Sequence, residues 1–334
     1  MRYNILSLGP ARMDVFLKLP EVEVDEVCSI DRKRCVIELG FGDKIALRGV
    51  DFAIGGNSGN NAVGLSRLGL SAAMVGAMGD GWMDQKALEI LKGEKVETKY
   101  VQINKGQNGF GAVLNYQEER TILSYYADAL CCFPEDTELK ADWIYLTSMG
   151  KGFEDFYLQS VEWAIKNNAK IGFNPGTRQI AAGLEKIKHI FVATEVLFVN
   201  REEATALLTQ GSMLNAKYSI TDIKGLLNGL RSLGPKVVVI TDGPGGTYSY
   251  DGEKYLYMPI VDAPVVERTG AGDAFGSGFL GAYIQNKPVD ECLKWGTVNS
   301  ASVLGFIGPQ AGLLTLTGMT EWLKKAETVQ AKEI

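Results

Sequence analysis

Histidine is all but absent from this 334-residue chain, in which His189 stands alone. That argues against Ser-His-Asp hydrolysis, catalytic zinc held by imidazoles and paired-histidine mechanisms. His189 has no partner motif, and the expectation is a surface residue near a helix end. Cysteine is scarce, odd in number and without a C-x-x-C pair: Cys28, Cys35, Cys131, Cys132 and Cys292. Such spacing argues for reduced thiols, against both a disulfide framework and a zinc site. No apolar run approaches the ~18 residues of a membrane span. The opening MRYNILSLGPARMD has only a short apolar stretch before Arg12 and Asp14, so no signal peptide is expected and a cytoplasmic location is. Basic excess is missing too, with 34 Lys+Arg against 40 Asp+Glu and a net charge of −6. A chain of this kind is a poor match for nucleic acid. The pattern G-x-x-x-x-G-K-[ST] occurs nowhere, which excludes a P-loop. What remains is chemistry run by carboxylates, backbone amides and a hard cation.

The 46% apolar and 22% charged residues are ordinary for a globular protein. Strand-like runs fall at residues 4–8, 72–76, 143–147, 170–173, 196–199 and 236–241. Some, such as Val237-Val238-Val239-Ile240, are continuously apolar and suit strands buried on both faces. Helical patterns separate them at 60–68, 82–91, 154–167, 202–208 and 220–233. This alternation predicts an α/β fold, a central mainly parallel sheet flanked by helices, as one domain over residues 1–334. Two stretches break the alternation. Residues 13–54 have β character at 14–19, 34–39, 44–47 and 51–54, and 106–127 reads as a hairpin of 110–116 and 121–126 turning through 117–120. Together they are expected to form a small second sheet, either a lid over a site or a dimerisation surface. A further hairpin at 248–255 carries the Asp251-Gly252 of a two-residue turn.

The most informative segment is Glu267-Arg268-Thr269-Gly270-Ala271-Gly272-Asp273-Ala274-Phe275, which follows a β-like stretch (258–266) and opens an apolar helical pattern. Gly270 and Gly272 let backbone N–H groups converge before a first helical turn, which makes an anion site. Asp273 is awkward beside an anion unless it takes a proton from an attacking hydroxyl. The plainer alternative is a helix cap. In a second cluster, Gly55-Gly56-Asn57-Ser58-Gly59-Asn60-Asn61, the glycines permit close approach, and Asn57 and Asn60 suit hydroxyl groups; a turn with an Asn cap explains it as well. A third, Thr241-Asp242-Gly243-Pro244-Gly245-Gly246, ends an apolar strand, where ligands of open α/β sheets gather. Residues 276–281 match G-x-G-x-x-G inside a helix and read as close helix packing.

These segments resemble the signatures of the ribokinase-like (PfkB) carbohydrate kinases. Residues 269–275 look like the C-terminal signature, and residues 55–63, continuing through 67–69 to 75–80, are similar to the N-terminal one. Asn200-Arg201-Glu202-Glu203 resembles the N-x-x-E motif, and residues 237–246 the nucleotide-side strand and turn. The four occur in family order. The resemblance implies a ribokinase-like three-layer fold with a β lid, and phosphoryl transfer from ATP to an alcohol group of a sugar or sugar-like substrate. It implies Asp273 as base, with Ala271, Gly272 and Asp273 N–H groups cradling the transferring phosphate and Gly270 shaping the turn. Asn200 and Glu203 would organise phosphate and Mg²⁺, Glu203 through water. Thr241, Gly243, Gly246 and Asn299 would line the nucleotide side, and Asp14, Gly56, Asn57 and Asn60 would bind acceptor hydroxyls. Glu267 and Thr269 stand where relatives lie near a monovalent cation, so K⁺ enters with them. Glu267-Arg268-Thr269 departs from the Asp-Thr-Thr of many members, and Asn57 replaces the lysine of ribokinase. A nucleoside kinase and a non-catalytic sugar-binding regulator are the alternatives, and a homodimer through the lid is expected.

Overall fold

The computed structural model describes residues 2–21, 25–28, 35–117, 119–125, 131–210 and 222–334. The chain opens with β1 (Arg2–Leu8), β2 (Arg12–Lys18), β3 (Asp25–Cys28), β4 (Cys35–Glu38) and β5 (Gly49–Gly55). There follow α1 (Asn57–Arg67), β6 (Ala72–Met78), α2 (Trp82–Gly93), β7 (Glu97–Ile103), β8 (Phe110–Tyr116) and β9 (Glu119–Tyr125). The alternation then becomes regular: β10 (Lys140–Leu146), α3 (Phe153–Asn167), β11 (Lys170–Phe173), α4 (Thr177–Ala181), α5 (Leu184–Ala193), β12 (Thr194–Asn200), α6 (Arg201–Gln210) and α7 (Ile223–Arg231). The last third comprises β13 (Val237–Thr241), β14 (Thr247–Tyr250), β15 (Tyr255–Met258), α8 (Ala271–Ile284), α9 (Val289–Leu304), α10 (Leu316–Lys325) and β16 (Lys332–Glu333).

Among the described residues the main sheet has the order β16-β15-β14-β13-β12-β11-β10-β1-β6-β7. It is parallel from β13 to β7, with an antiparallel edge of β14, β15 and β16. Two apolar clusters cover its faces, and neighbouring residues such as Ile5 and Leu6 go to opposite ones. The chain leaves β1 toward β6 on one side and builds from β10 on the other. The crevice at such a reversal is where open α/β sheets bind ligands.

A second sheet, order β5-β2-β8-β9, stands apart from the first. Its alternation separates two faces. Phe16, Asp14 and Val113 are buried, whereas Phe52, Leu123 and Tyr125 are 52%, 56% and 59% exposed. Residues 44–47, expected as a strand, are not one, and the described part of 34–39 does not join this sheet. Instead β4 pairs with β3 in a separate hairpin, where Cys28 and Cys35 lie directly opposite and form a disulfide. The expectation of reduced thiols fails there, because a hairpin brings together cysteines seven residues apart without any C-x-x-C spacing. Two turns also differ. Tyr116 pairs with Glu119, so the 110–125 hairpin turns through two positions, with Gln117 at φ 54°; Tyr126 of that expectation lies outside the described residues. Tyr250 pairs with Tyr255, so Asp251-Gly252 sits in a four-residue loop, where Asp251 Oδ1 accepts from the N–H groups of Glu253 and Lys254. Beyond Met258 the β-like stretch to Val266 is irregular. The glycines of 276–281 serve helix packing, as expected: a Cβ at Gly278 would stand 2.7 Å from the Trp295 carbonyl oxygen. His189 lies in α5, and burial lowers its pKa.

Candidate active site

Gly270 initiates α8 with φ +83°, a conformation that costs glycine little. Pro309 occupies the space a side chain would need, 2.2 Å from a Cβ built at Gly270. At Gly272 the same construction meets nothing within 4 Å, so the space above it is open to a ligand. No side chain caps this helix. The N–H groups of Gly272 and Asp273 therefore have no intrahelical partner, and that of Ala271 makes only a long 3.5 Å bond to the Arg268 carbonyl. Asp273 is the third helical residue and does not cap, which removes the plainer reading. Its Oδ2 accepts from Asn60 Nδ2 at 2.8 Å, and Asn60 Oδ1 accepts from Gln310 Nε2 at 3.0 Å. Burial pushes the Asp273 carboxyl up to about 6, against the Asn60 hydrogen bond, which lowers it.

Near this carboxylate lies the reciprocal cap of α6: Asn200 N–H donates to Glu203 Oε2 at 2.9 Å, and Glu203 N–H to Asn200 Oδ1 at 2.8 Å. Burial raises the Glu203 pKa, and Glu202 and Asp273 raise it further. Asp273 thus acts on Glu203 electrostatically, and the cap leaves one Glu203 oxygen unused, which is the kind of donor a hard divalent cation takes. Beside the anion turn a cavity of about 360 Å³ opens, lined by Thr241, Gly243, Gly246, Arg268, Gly272, Phe275 and Thr297. The third glycine cluster and the anion turn thus share one cavity. Asn299 is not in its wall: it is fully buried, its amide donating to the Ala274 carbonyl and its oxygen accepting from Leu314 N–H. Thr297, Ser300 and Ala301 of the same helix face the cavity in its place.

Asp14 lies on the buried face of the second sheet. Cβ atoms at Gly55 and Gly111 would stand 1.9 and 2.3 Å from its carboxylate oxygens, so glycine on each flanking strand makes its room. Arg12 Nε donates to Asp14 Oδ1 at 3.0 Å, yet burial dominates and raises the Asp14 pKa. Gly56 (φ +90°) packs its backbone on Pro10, and Asn57 is the first residue of α1. A smaller cavity of about 80 Å³, lined by Pro10, Ala11, Arg12, Gly79, Asp84 and Met149, opens at the β1/β10 reversal. Glu267 is buried, accepting from Thr269 N–H at 2.8 Å and from the Thr269 hydroxyl. Arg120, from β9, lies 3.7 Å from it. Arg12, Arg120, Arg268 and Gln310 were missed by motif reasoning. Of these, only Arg12 left a signal, two residues before Asp14 on the same strand face.

A glycine-shaped turn at an uncapped helix start, a buried carboxyl at the third helical residue and a cavity of about 360 Å³ beside it are the arrangement that phosphoryl transfer to an alcohol calls for. Residues 22–316 match the pfkB family carbohydrate kinase model. The chain belongs to the pfkB family of carbohydrate kinases, which use ATP as phosphoryl donor. It is 27% identical over 258 residues to an uncharacterized sugar kinase of Archaeoglobus fulgidus, covering 75% of this chain and 98% of that one. The Methanocaldococcus jannaschii nucleoside kinase, an archaeal member of the ribokinase family, superposes with a TM-score of 0.75 at 19% identity, covering 96% of this chain and 98% of that one. Arabidopsis thaliana ribokinase, solved with ribose and ATP, gives 0.74 at 18% identity, covering 97% and 99%.

Proposed function

We propose that this protein transfers the γ-phosphoryl group of ATP to a hydroxyl of a sugar, with Asp273 removing the hydroxyl proton. The observation that carries the reading is the Asp273 carboxylate, held by Asn60 at the start of an uncapped helix with a pKa pushed up to about 6. Near pH 7 such a group is deprotonated yet basic enough to accept a proton. The N–H groups of Ala271, Gly272 and Asp273 face the place where charge develops, and fixed dipoles there cost no reorganisation. Thr241, Gly243 and Gly246 hold the nucleotide, and Asp14, Gly56, Asn57 and Asn60 the acceptor. Glu203 and Asn200 suit Mg²⁺, which when bound neutralises phosphate charge. K⁺ has a weaker claim at Glu267 and Thr269, because Arg120 already supplies a positive charge there.

The second sheet closes over the acceptor and, through its exposed face, pairs with a second copy of the chain; a cytoplasmic location agrees with this chemistry. A nucleoside acceptor is the second reading, favoured by the likeness to the archaeal nucleoside kinase and by Tyr125 and Met149 at the smaller cavity. ADP release with ATP and Mg²⁺ across sugars, sugar phosphates and nucleosides decides between them. No acceptor-dependent release from any of them would refute the kinase assignment.

A further inference from the structure

We propose that Arg120 is a positioning residue that acts through Glu267, making the shape of the anion turn depend on where the second sheet sits. Glu267 gathers the turn's walls. Its Oε1 accepts from Thr269, the residue before Gly270, and its Oε2 from Gly308 N–H at 3.4 Å. Gly308 precedes Pro309, the residue packed against Gly270. A carboxylate buried in this way needs a counter-charge. Among the described residues the cation paired with it is Arg120, whose Nε is 3.7 Å away and whose side chain is 30% exposed. The pairing runs from β9 of the second sheet to the irregular segment that leads into α8.

Register gives this contact its meaning. Arg120, Ile122 and Ser124 alternate along β9 and share a face. At one end of that face Ser124 Oγ accepts from an Arg12 guanidinium nitrogen at 3.1 Å, and Arg12 holds Asp14. At the other end Arg120 holds Glu267. A single strand, spanning about 13 Å between these residues, thus touches the acceptor side and the phosphate side together. A shift of the sheet on binding an acceptor reaches the anion turn through this ion pair. The inference rests on the kinase reading for its kinetic readout alone.

Arg120→Gln and Arg120→Lys are assayed with whichever of ribose, fructose or cytidine the wild type phosphorylates. Arg120→Gln is expected to lower kcat by about 10–100-fold, the range for losing a charge-assisted contact, with KM for acceptor and ATP within about threefold. Arg120→Lys should recover part of the loss, and added guanidinium ion should partly restore Arg120→Ala. Hydrogen exchange of amides 269–273, measured without substrate, is expected to be faster in Arg120→Gln. Wild-type-like kcat in the glutamine variant, or unchanged exchange at 269–273, would overturn the proposal. If the wild type phosphorylates none of the three, the exchange comparison still decides the coupling.

Discussion

Asp273 carries two opposed demands. As a base it must be charged near neutrality, whereas its burial penalises charge and lifts its pKa from 3.8 to about 6. Asp273→Asn keeps the shape and the Asn60 contact region but cannot accept a proton. Turnover is expected to fall by about 10²–10⁴, with ATP binding retained in calorimetry; near-normal turnover would refute the base assignment. The same shift sets a pH dependence. Because the deprotonated form is active, kcat/KM should be flat above about pH 6 and fall about tenfold per unit below it. A profile flat to pH 5 would exclude Asp273 as the titrating base. Stability runs the other way. The folded pKa exceeds the unfolded value, so the wild type loses stability as pH rises from 3.8 through about 6. The loss is about 1–3 kcal/mol, discounted for the solvent contact this residue retains. Asp273→Asn lacks that loss and is expected to melt a few degrees higher at pH 7, with the gap closing near pH 4. The place of Asp273 at a helix start was legible in the sequence because glycine spacing forces a backbone conformation. Arg120 and Gln310 were not, since their contacts with Glu267 and Asn60 span 147 and 250 positions, and no local pattern encodes such pairs.

Elements were most legible where burial alone dictates them. Val237–Thr241 is buried on both faces, and its apolar run announced a central strand. Exposed segments were read less well. Residues 44–47 alternate weakly and lack a partner strand, and the Asp251-Gly252 loop takes a longer form because Asp251 caps two N–H groups itself. The Asn200-to-Glu203 spacing builds a reciprocal helix cap, and the proposed metal role would draw on the same pair. The cap uses one Glu203 oxygen and leaves the other for charge chemistry. Glu203→Gln can preserve the cap yet lose the charge, so the helix should survive. The half-saturating Mg²⁺ concentration is expected to rise by about tenfold and turnover to fall, the scale of one charge-assisted interaction. Acceptor affinity measured directly should move little, and an unchanged Mg²⁺ titration would refute the metal role.

At the scale of the whole molecule the question is what the second sheet does, since water competes with any hydroxyl acceptor for the phosphoryl group. Its two faces differ too much for a surface ornament. One presents Asp14 beside Phe16 and Val113, all buried; the other leaves Val50, Phe52, Leu123 and Tyr125 between 46% and 59% exposed. The buried face carries the Arg12–Asp14 pair within β2 at one end and is joined to the loop before α8 by Arg120–Glu267 at the other. An apolar sheet face with an open edge is a liability that a second copy can cover. Two measurements separate these roles. Sedimentation velocity should show a dimer that Phe52→Glu or Leu123→Glu converts to monomer, and a monomeric wild type would end the pairing idea. Hydrogen exchange with and without acceptor should show added protection of amides in 13–54 and 106–127, including in the monomeric variants if closure and pairing are separate functions. Absence of such protection with a true acceptor bound would refute closure whatever the oligomeric state, because a sheet that excludes water from the transfer must slow its own exchange when it shuts.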